Sequence, residues 1–198
     1  AELLAVVLNT APVECAGAIS VLLNYYGRDY DVPIGAYDIH TPNATLEMAD
    51  PLPYVPLLVS TFPSRINNSS QAEDAVTVYR RVLAAQPHRS VAISSIGIHT
   101  NLMALLKSPP DEHSPLDGVA LIAEKVSKLA VMGGKFPASN GNPECNVCGG
   151  GRNEHNHLVS SAASSYVAAH WPASSQIIWS GFEVGLQVQS GGARFQRC

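Results

Sequence analysis

Residues 3 to 8 (LLAVVL) form an unbroken apolar run that stops at Asn9-Thr10. A run this short, without polar alternation, fits a strand covered on both faces, which is the habit of parallel sheets. A helical pattern follows it. Pro12 suits a helix start, Val13, Ala16, Ile19, Ser20, Leu23 and Tyr26 recur at helical spacing, and Gly27 ends the stripe. Residues 31 to 35 read as the next short strand, completing a strand, helix, strand unit with a right-handed crossover.

The alternation continues to the end of the chain. Residues 90–96, 128–132 and 176–180 read as strands, and helical patterns occupy 75–83, 102–106, 119–126 and 158–171. Strand and helix in turn predict an α/β fold: a mostly parallel open sheet with helices on both faces, Rossmann-like, in one domain over residues 1–198. The length is enough for one such domain with a real core. Two stretches break the rhythm. Residues 36–68 hold many of the prolines, show no clear period and read as a long surface excursion flanking the mouth of a site. Residues 190–198 are Gly-rich and cationic and read as a frayed tail. Ser70-Gln71-Ala72-Glu73 has the spacing of a capping box and predicts a helix with Ala75, Val76, Tyr79, Val82 and Leu83 on one side, stopped by Pro87.

Charge excludes one class of partner. The formal net charge is -4 and no Lys/Arg run occurs, whereas binding to nucleic acid needs clustered cations to neutralise phosphates. No apolar segment reaches the roughly 20 residues that span a bilayer, so no membrane is expected. Four cysteines, Cys15, Cys145, Cys148 and Cys198, do not define a redox compartment. Acceptor triplets at Asn43, Asn67 and Asn68 point toward glycosylation and the secretory route. Cys145, Cys148, His155 and His157 invite a zinc reading, but a Cys2His2 finger wants about 12 residues between its pairs. A Gly149-Gly150-Gly151 turn with incidental thiols explains them more simply.

The strand at 128–132 breaks into Gly133-Gly134 and a loop carrying Asn140, Asn142, Glu144 and Asn146. In open α/β sheets ligands sit at the carboxyl ends of the strands. Carboxylate and amide oxygens accept from hydroxyls while amide N–H groups donate to them, a set that suits a polyhydroxylated ligand such as a sugar. Turn chemistry alone also accounts for the glycines and asparagines. Asn9, at the carboxyl end of the first strand, reads equally as a ligand amide or a helix cap. His99, in the loop after residue 96, reaches the same edge; a histidine so placed is more often a bystander.

The blocks LAVVLNT, IGIHTNL, VMGGKFP and ECN resemble, in order and over nearly the whole chain, the inosine-uridine-preferring nucleoside hydrolases, especially their eukaryotic members. The resemblance implies a nucleoside-hydrolase-like fold and ribose hydroxyls held by Glu144 and Asn146, with Asn140 or Asn142 as a further contact and Asn9 and Met132 beside them. Cys145 stands where the family usually has Phe. It further implies calcium, bound in part by the backbone carbonyl of Ile96. The expected partner is a nucleoside or another ribose-containing small molecule, and a homo-oligomer stays open. The implied reaction is hydrolysis of the N-glycosidic bond to base and ribose.

The family's Asp-rich block DxDxxxDD and its later His-Asp pair have no counterpart here, so no catalytic residue is assigned. The chain also opens in an apolar strand without Met. The expectation is a fragment carrying the sugar-recognition half of a site, active in its full-length parent. The alternative is a catalytically silent sugar- or nucleoside-binding protein on the same fold.

Overall fold

The computed structural model describes residues 1–9, 14–37, 54–134, 136 and 154–188, with backbone alone at 154–160, 182 and 186. The first three strands, β1 (Val6–Leu8), β2 (Ile34–Ala36) and β3 (Glu73–Asp74), form one parallel ladder in the order β1-β2-β3. Val6 lies opposite Ile34 and Leu8 opposite Ala36. Successive strand residues face opposite sides, and helices cover both. Ile34 packs with Ala16 and Leu23 of α1 (Cys15–Tyr25). Gly35 turns to α3 (Ala75–Ala84), where an added Cβ would lie 3.1 Å from the Ala75 backbone and 3.2 Å from Val78.

The second parallel ladder has the order β4-β5-β6, from β4 (Val91–Ser95), β5 (Val126–Met132) and β6 (Gln176–Ser180). Ile93, Leu129 and Ile177 share one row, as do Ser95, Val131 and Trp179 two residues on. That face meets α4 (Thr100–Lys107), α5 (Gly118–Lys125) and α6 (Glu154–His170) in the larger core, where Leu102, Leu105, Leu121, Ile122, Val167 and Trp171 are buried. Such burial is worth about 1.5–3 kcal/mol per large apolar side chain.

The two ladders meet at the carboxyl ends of β1 and β4. The Asn9 amide donates to the carbonyl of Ile98, and the Asn101 amide donates to the carbonyl of Leu8 at 2.8 Å. Side chains rather than a backbone ladder therefore close this seam, and the order across both ladders runs 3-2-1 then 4-5-6. Strand order reverses direction there, the place where doubly wound sheets open a crevice.

Several local expectations are corrected. Tyr26, expected in the buried stripe of α1, is 74% exposed. The helix stops at Tyr25 because Gly27 takes φ +68°, allowing the Arg28 N–H to reach Leu23 O at 2.8 Å and the Gly27 N–H to reach Asn24 O at 2.9 Å. The capping box falls earlier than its spacing suggested. Asn68 accepts from Ser70 N, while the Gln71 side chain accepts from Asn68 N, closing a single 3-10 turn, Ser69–Gln71. Glu73–Asp74 then pairs as a strand, and Asp74 caps α3 by accepting from Thr77 N at 2.9 Å. Within the stretch read as irregular lies α2 (Tyr54–Thr61); Pro56 in its first turn removes only an N–H that needs no partner there. A short α7 (Phe182–Gln187) follows β6. Of the expected glycan acceptors, Asn67 is exposed, Asn68 is occupied as the cap, and Asn43 lies outside the described residues. The tail from 190 lies outside them as well.

Loop 108–117, between α4 and α5, is tied down by a buried cation. Arg80, on α3 and 2% exposed, donates to Ser108 Oγ at 2.9 Å, to Asp111 Oδ1 at 2.9 Å and to the carbonyls of Ser114 and Leu116 at 3.1 and 2.9 Å. Its Nε lies 2.7 Å from Asp111 Oδ2. A planar fork with five N–H donors can satisfy this many acceptors at once.

Candidate functional site

Each strand of the central region delivers a loop to the carboxyl edge. From β1 comes Asn9, whose amide is turned to Ile98. A Cβ on Gly97 would stand 2.8 Å from Asn9 Oδ1, so only glycine lets these two segments approach as they do. From β4 come Ile96, exposed, and Gly97, leading into the first turn of α4.

That turn concentrates unsatisfied polar atoms. His99, Thr100 and Asn101 are 0%, 0% and 4% exposed. Both ring nitrogens of His99, Thr100 Oγ1 and Asn101 Oδ1 have no hydrogen-bond partner. Buried polar groups in native proteins are nearly all paired, so a cluster of four calls for a physical account. Burial holds the His99 imidazole below its ordinary pKa and therefore neutral. Its ring centre lies 6.2 Å from that of Trp179 on β6, tilted by 55°.

The β5 and β6 ends are joined beyond the ladder. The Gly133 N–H donates to Ser180 O at 2.9 Å, and Gly134 takes φ +83°, which no β-branched residue would accept. The Phe136 N–H then donates to Glu183 Oε2 at 3.0 Å, so a carboxylate at the head of α7 holds the take-off of the loop after β5. Gly181 makes room for it, since a Cβ there would lie 2.3 Å from the Glu183 oxygens.

The structure thus brings Asn9, Ile96 and Met132 to one edge, at the ends of β1, β4 and β5. Asn140, Asn142, Glu144 and Asn146 lie outside the described residues, as do Cys145 and Cys148; His155 and His157 sit on α6. The sequence reading passed over Glu183 and Trp179 and set His99 aside. The usable signal for the first two was position: both flank the end of the strand expected at 176–180. For His99 it was an ionisable residue opening a helix at the reversal of strand order.

Calcium wants about six to eight oxygen ligands, several of them carboxylates. Among the described residues no three His, Cys, Asp or Glu side chains gather to hold a metal. The described part of the edge offers carbonyls and amide oxygens. Asp29 is not a candidate, since it sits beyond α1 accepting from Ser20 Oγ and Arg65 N, both at 2.6 Å.

No family model matches the chain, and no curated protein does. Among solved structures it is similar to the type III effector protein XopQ, described in complex with adenosine diphosphate ribose, at 17% identity and a TM-score of 0.55. The match covers 89% of this chain and 48% of that one, so this chain spans about half of the neighbour's length. The likeness carries the fold: α/β, with parallel strands flanked by helices, nucleoside-hydrolase-like and Rossmann-like.

Proposed function

We propose that this chain binds a ribose-containing small molecule at the carboxyl edge, on a nucleoside-hydrolase-like fold. The observation that carries the reading is the cluster of buried, unpartnered groups on His99, Thr100 and Asn101 where strand order reverses. An imidazole, a hydroxyl and an amide oxygen both give and accept hydrogen bonds, as sugar hydroxyls require. The ligand of the structural neighbour, ADP-ribose, supports the same class.

The finer proposal follows the resemblance to inosine-uridine-preferring nucleoside hydrolases. There Glu144 and Asn146, with Asn140 or Asn142, hold the ribose hydroxyls, and Asn9 stands at the end of the next strand but one. A carboxylate beside the sugar ring favours the positive charge that develops as an N-glycosidic bond breaks. In such a reaction bound calcium would lower the pKa of the attacking water, with the Ile96 carbonyl as one ligand. Supply of the remaining ligands and of the base is assigned to a longer parent. A binding protein without catalysis is the second reading. It is favoured by the character of the buried edge groups, which are amides, a hydroxyl and a neutral imidazole rather than carboxylates.

Calorimetric titration with ribose, adenosine and inosine, alongside a reducing-sugar assay with inosine and uridine, tests both. Expected from this chain are saturable binding and no release of base, with Ca2+ binding weaker than micromolar. Release of ribose by these 198 residues would show that the catalytic groups are already present. No binding of any ribosyl compound would overturn the proposal. Glu144→Ala should weaken ribose binding by roughly ten-fold or more, the worth of one charge-assisted hydrogen bond.

A further inference from the structure

We propose that the opening of α4 is a phosphate subsite, which makes the ligand a ribosyl phosphate rather than a bare nucleoside. The inference rests on the ribose reading for the rest of the ligand, but not for the phosphate itself. Four observations lead to it. The first N–H groups of a helix have no intrahelical partner and carry partial positive charge, and α4 has no side-chain cap on them. At α3 and α5, by contrast, Asp74 and Asp117 accept from the first turn, while α1 and α7 share the lack of a side-chain cap but, among the described residues, have no such buried, unpartnered groups at their heads.

The second is the aim of the side chains. Cα–Cβ bonds in a helix tilt toward its N-terminus, so Thr100 and Asn101, in the first turn, lean toward the open end. The reach of the Asn101 amide to Leu8 O, on the strand beyond that end, bears this out. The third is that these side chains and His99 are already stripped of water and left without partners. Several donors converge there, namely the first-turn N–H groups, the Thr100 hydroxyl and one imidazole N–H, beside the acceptors Asn101 Oδ1 and the second imidazole nitrogen. That composition calls for an acceptor-rich, anionic group, with a neighbouring sugar hydroxyl donating to Asn101 Oδ1.

The fourth is charge. Residues 90–110 contain no Asp or Glu, and neither do 3–9 or 126–134, so the segments in direct contact with the opening of α4 carry no carboxylate, and Glu144, in the loop after β5, is assigned to the ribose. The nearest carboxylate in the sequence of the edge, Glu183, is turned to Phe136 N.

The test compares ribose, ribose 5-phosphate and inorganic phosphate by calorimetry on the full chain, with Trp179 fluorescence as a second readout because its ring lies against His99. Ribose 5-phosphate should bind at least about ten-fold more tightly than ribose, inorganic phosphate should compete with it, and the advantage should shrink between about 50 and about 300 mM salt. Equal affinity for ribose and ribose 5-phosphate overturns the inference and leaves the ribose reading standing. Binding of phosphate without binding of ribose does the reverse. If neither binds, both fall. Two variants separate ligand contact from folding. Thr100→Val keeps the shape, removes the hydroxyl and should lower ribose 5-phosphate affinity several-fold. Thr100→Asp places a carboxylate where the helix favours one, so the chain should stay folded and lose phosphate binding. A Thr100→Asp chain that unfolds, or that binds phosphate as before, would refute an anion site at this position.

Discussion

Asp111 shows how an ion pair with one buried side chain, Arg80, can set the acid limit of a loop. The Arg80 guanidinium beside it, through hydrogen bonds and charge, with help from the backbone N–H groups of Ser114 and His113, lowers its carboxyl pKa from 3.8 to about 2. A depressed folded-state pKa contributes stability above the unfolded value, which is lost as pH falls through the folded one. The stability gap between the native chain and Asp111→Asn should therefore narrow as pH drops from about 4 to about 2. Urea midpoints measured across that range check it, and a gap that stays constant would exclude the pair as its source. Arg80→Ala should cost about 1–3 kcal/mol, since it leaves the Leu116 carbonyl without its donor and takes one partner each from Ser108 Oγ, Asp111 and the Ser114 carbonyl. None of this was legible in the sequence, where Arg80 is one more charge on a helix. Its partners lie 28 to 36 residues away, and only the fold brings them into its reach.

Elements were more legible than contacts, and for a physical reason. Strands and helices leave a local period, so β6 falls where residues 176–180 predicted and β5 ends at the expected Gly133-Gly134. Caps leave a local signal too, but a weaker one, because several Ser, Asn and Asp residues compete for the role. Asn68 and Asp74 won over Ser70 since they sit at the ends of the turn and helix that tertiary packing selected. Close approach between elements leaves almost no signal. Gly118 opens α5 against α4 so tightly that a Cβ would fall 1.7 Å from Leu105 O, a backbone atom that cannot yield. Gly to Ala in a helix interior normally gains up to about 1 kcal/mol, yet overpacking of this kind costs about 1–3 kcal/mol and needs the two helices to part. Gly118→Ala should thus lower the urea midpoint of unfolding; a raised midpoint would mean that the helices separate easily.

At the scale of the whole molecule the described residues form two three-stranded halves joined along a seam. Alternating strand and helix told of parallel strands but could not tell where backbone pairing would lapse, because that depends on Asn9 meeting a carbonyl 89 residues away. Apolar contacts bridge the seam: Leu4 packs into the core of the second half while Val6 and Leu8 pack into that of the first, and α3 sets Val78 on Gly35 of β2 and Leu83 in the larger core. Removing the Asn101 amide, as in Asn101→Leu, leaves the Leu8 carbonyl without its donor at a cost of about 1–3 kcal/mol. Most of the larger core comes from β4, β5 and the helices packed on them, so the cost should fall unevenly. Native-state hydrogen exchange should show β1 and β2 amides opening at lower free energy in the variant, with β5 amides still exchanging near the global value. If both ladders lost protection together, the seam would be no boundary, and ligand entry at the carboxyl edge would have to proceed without the halves moving apart.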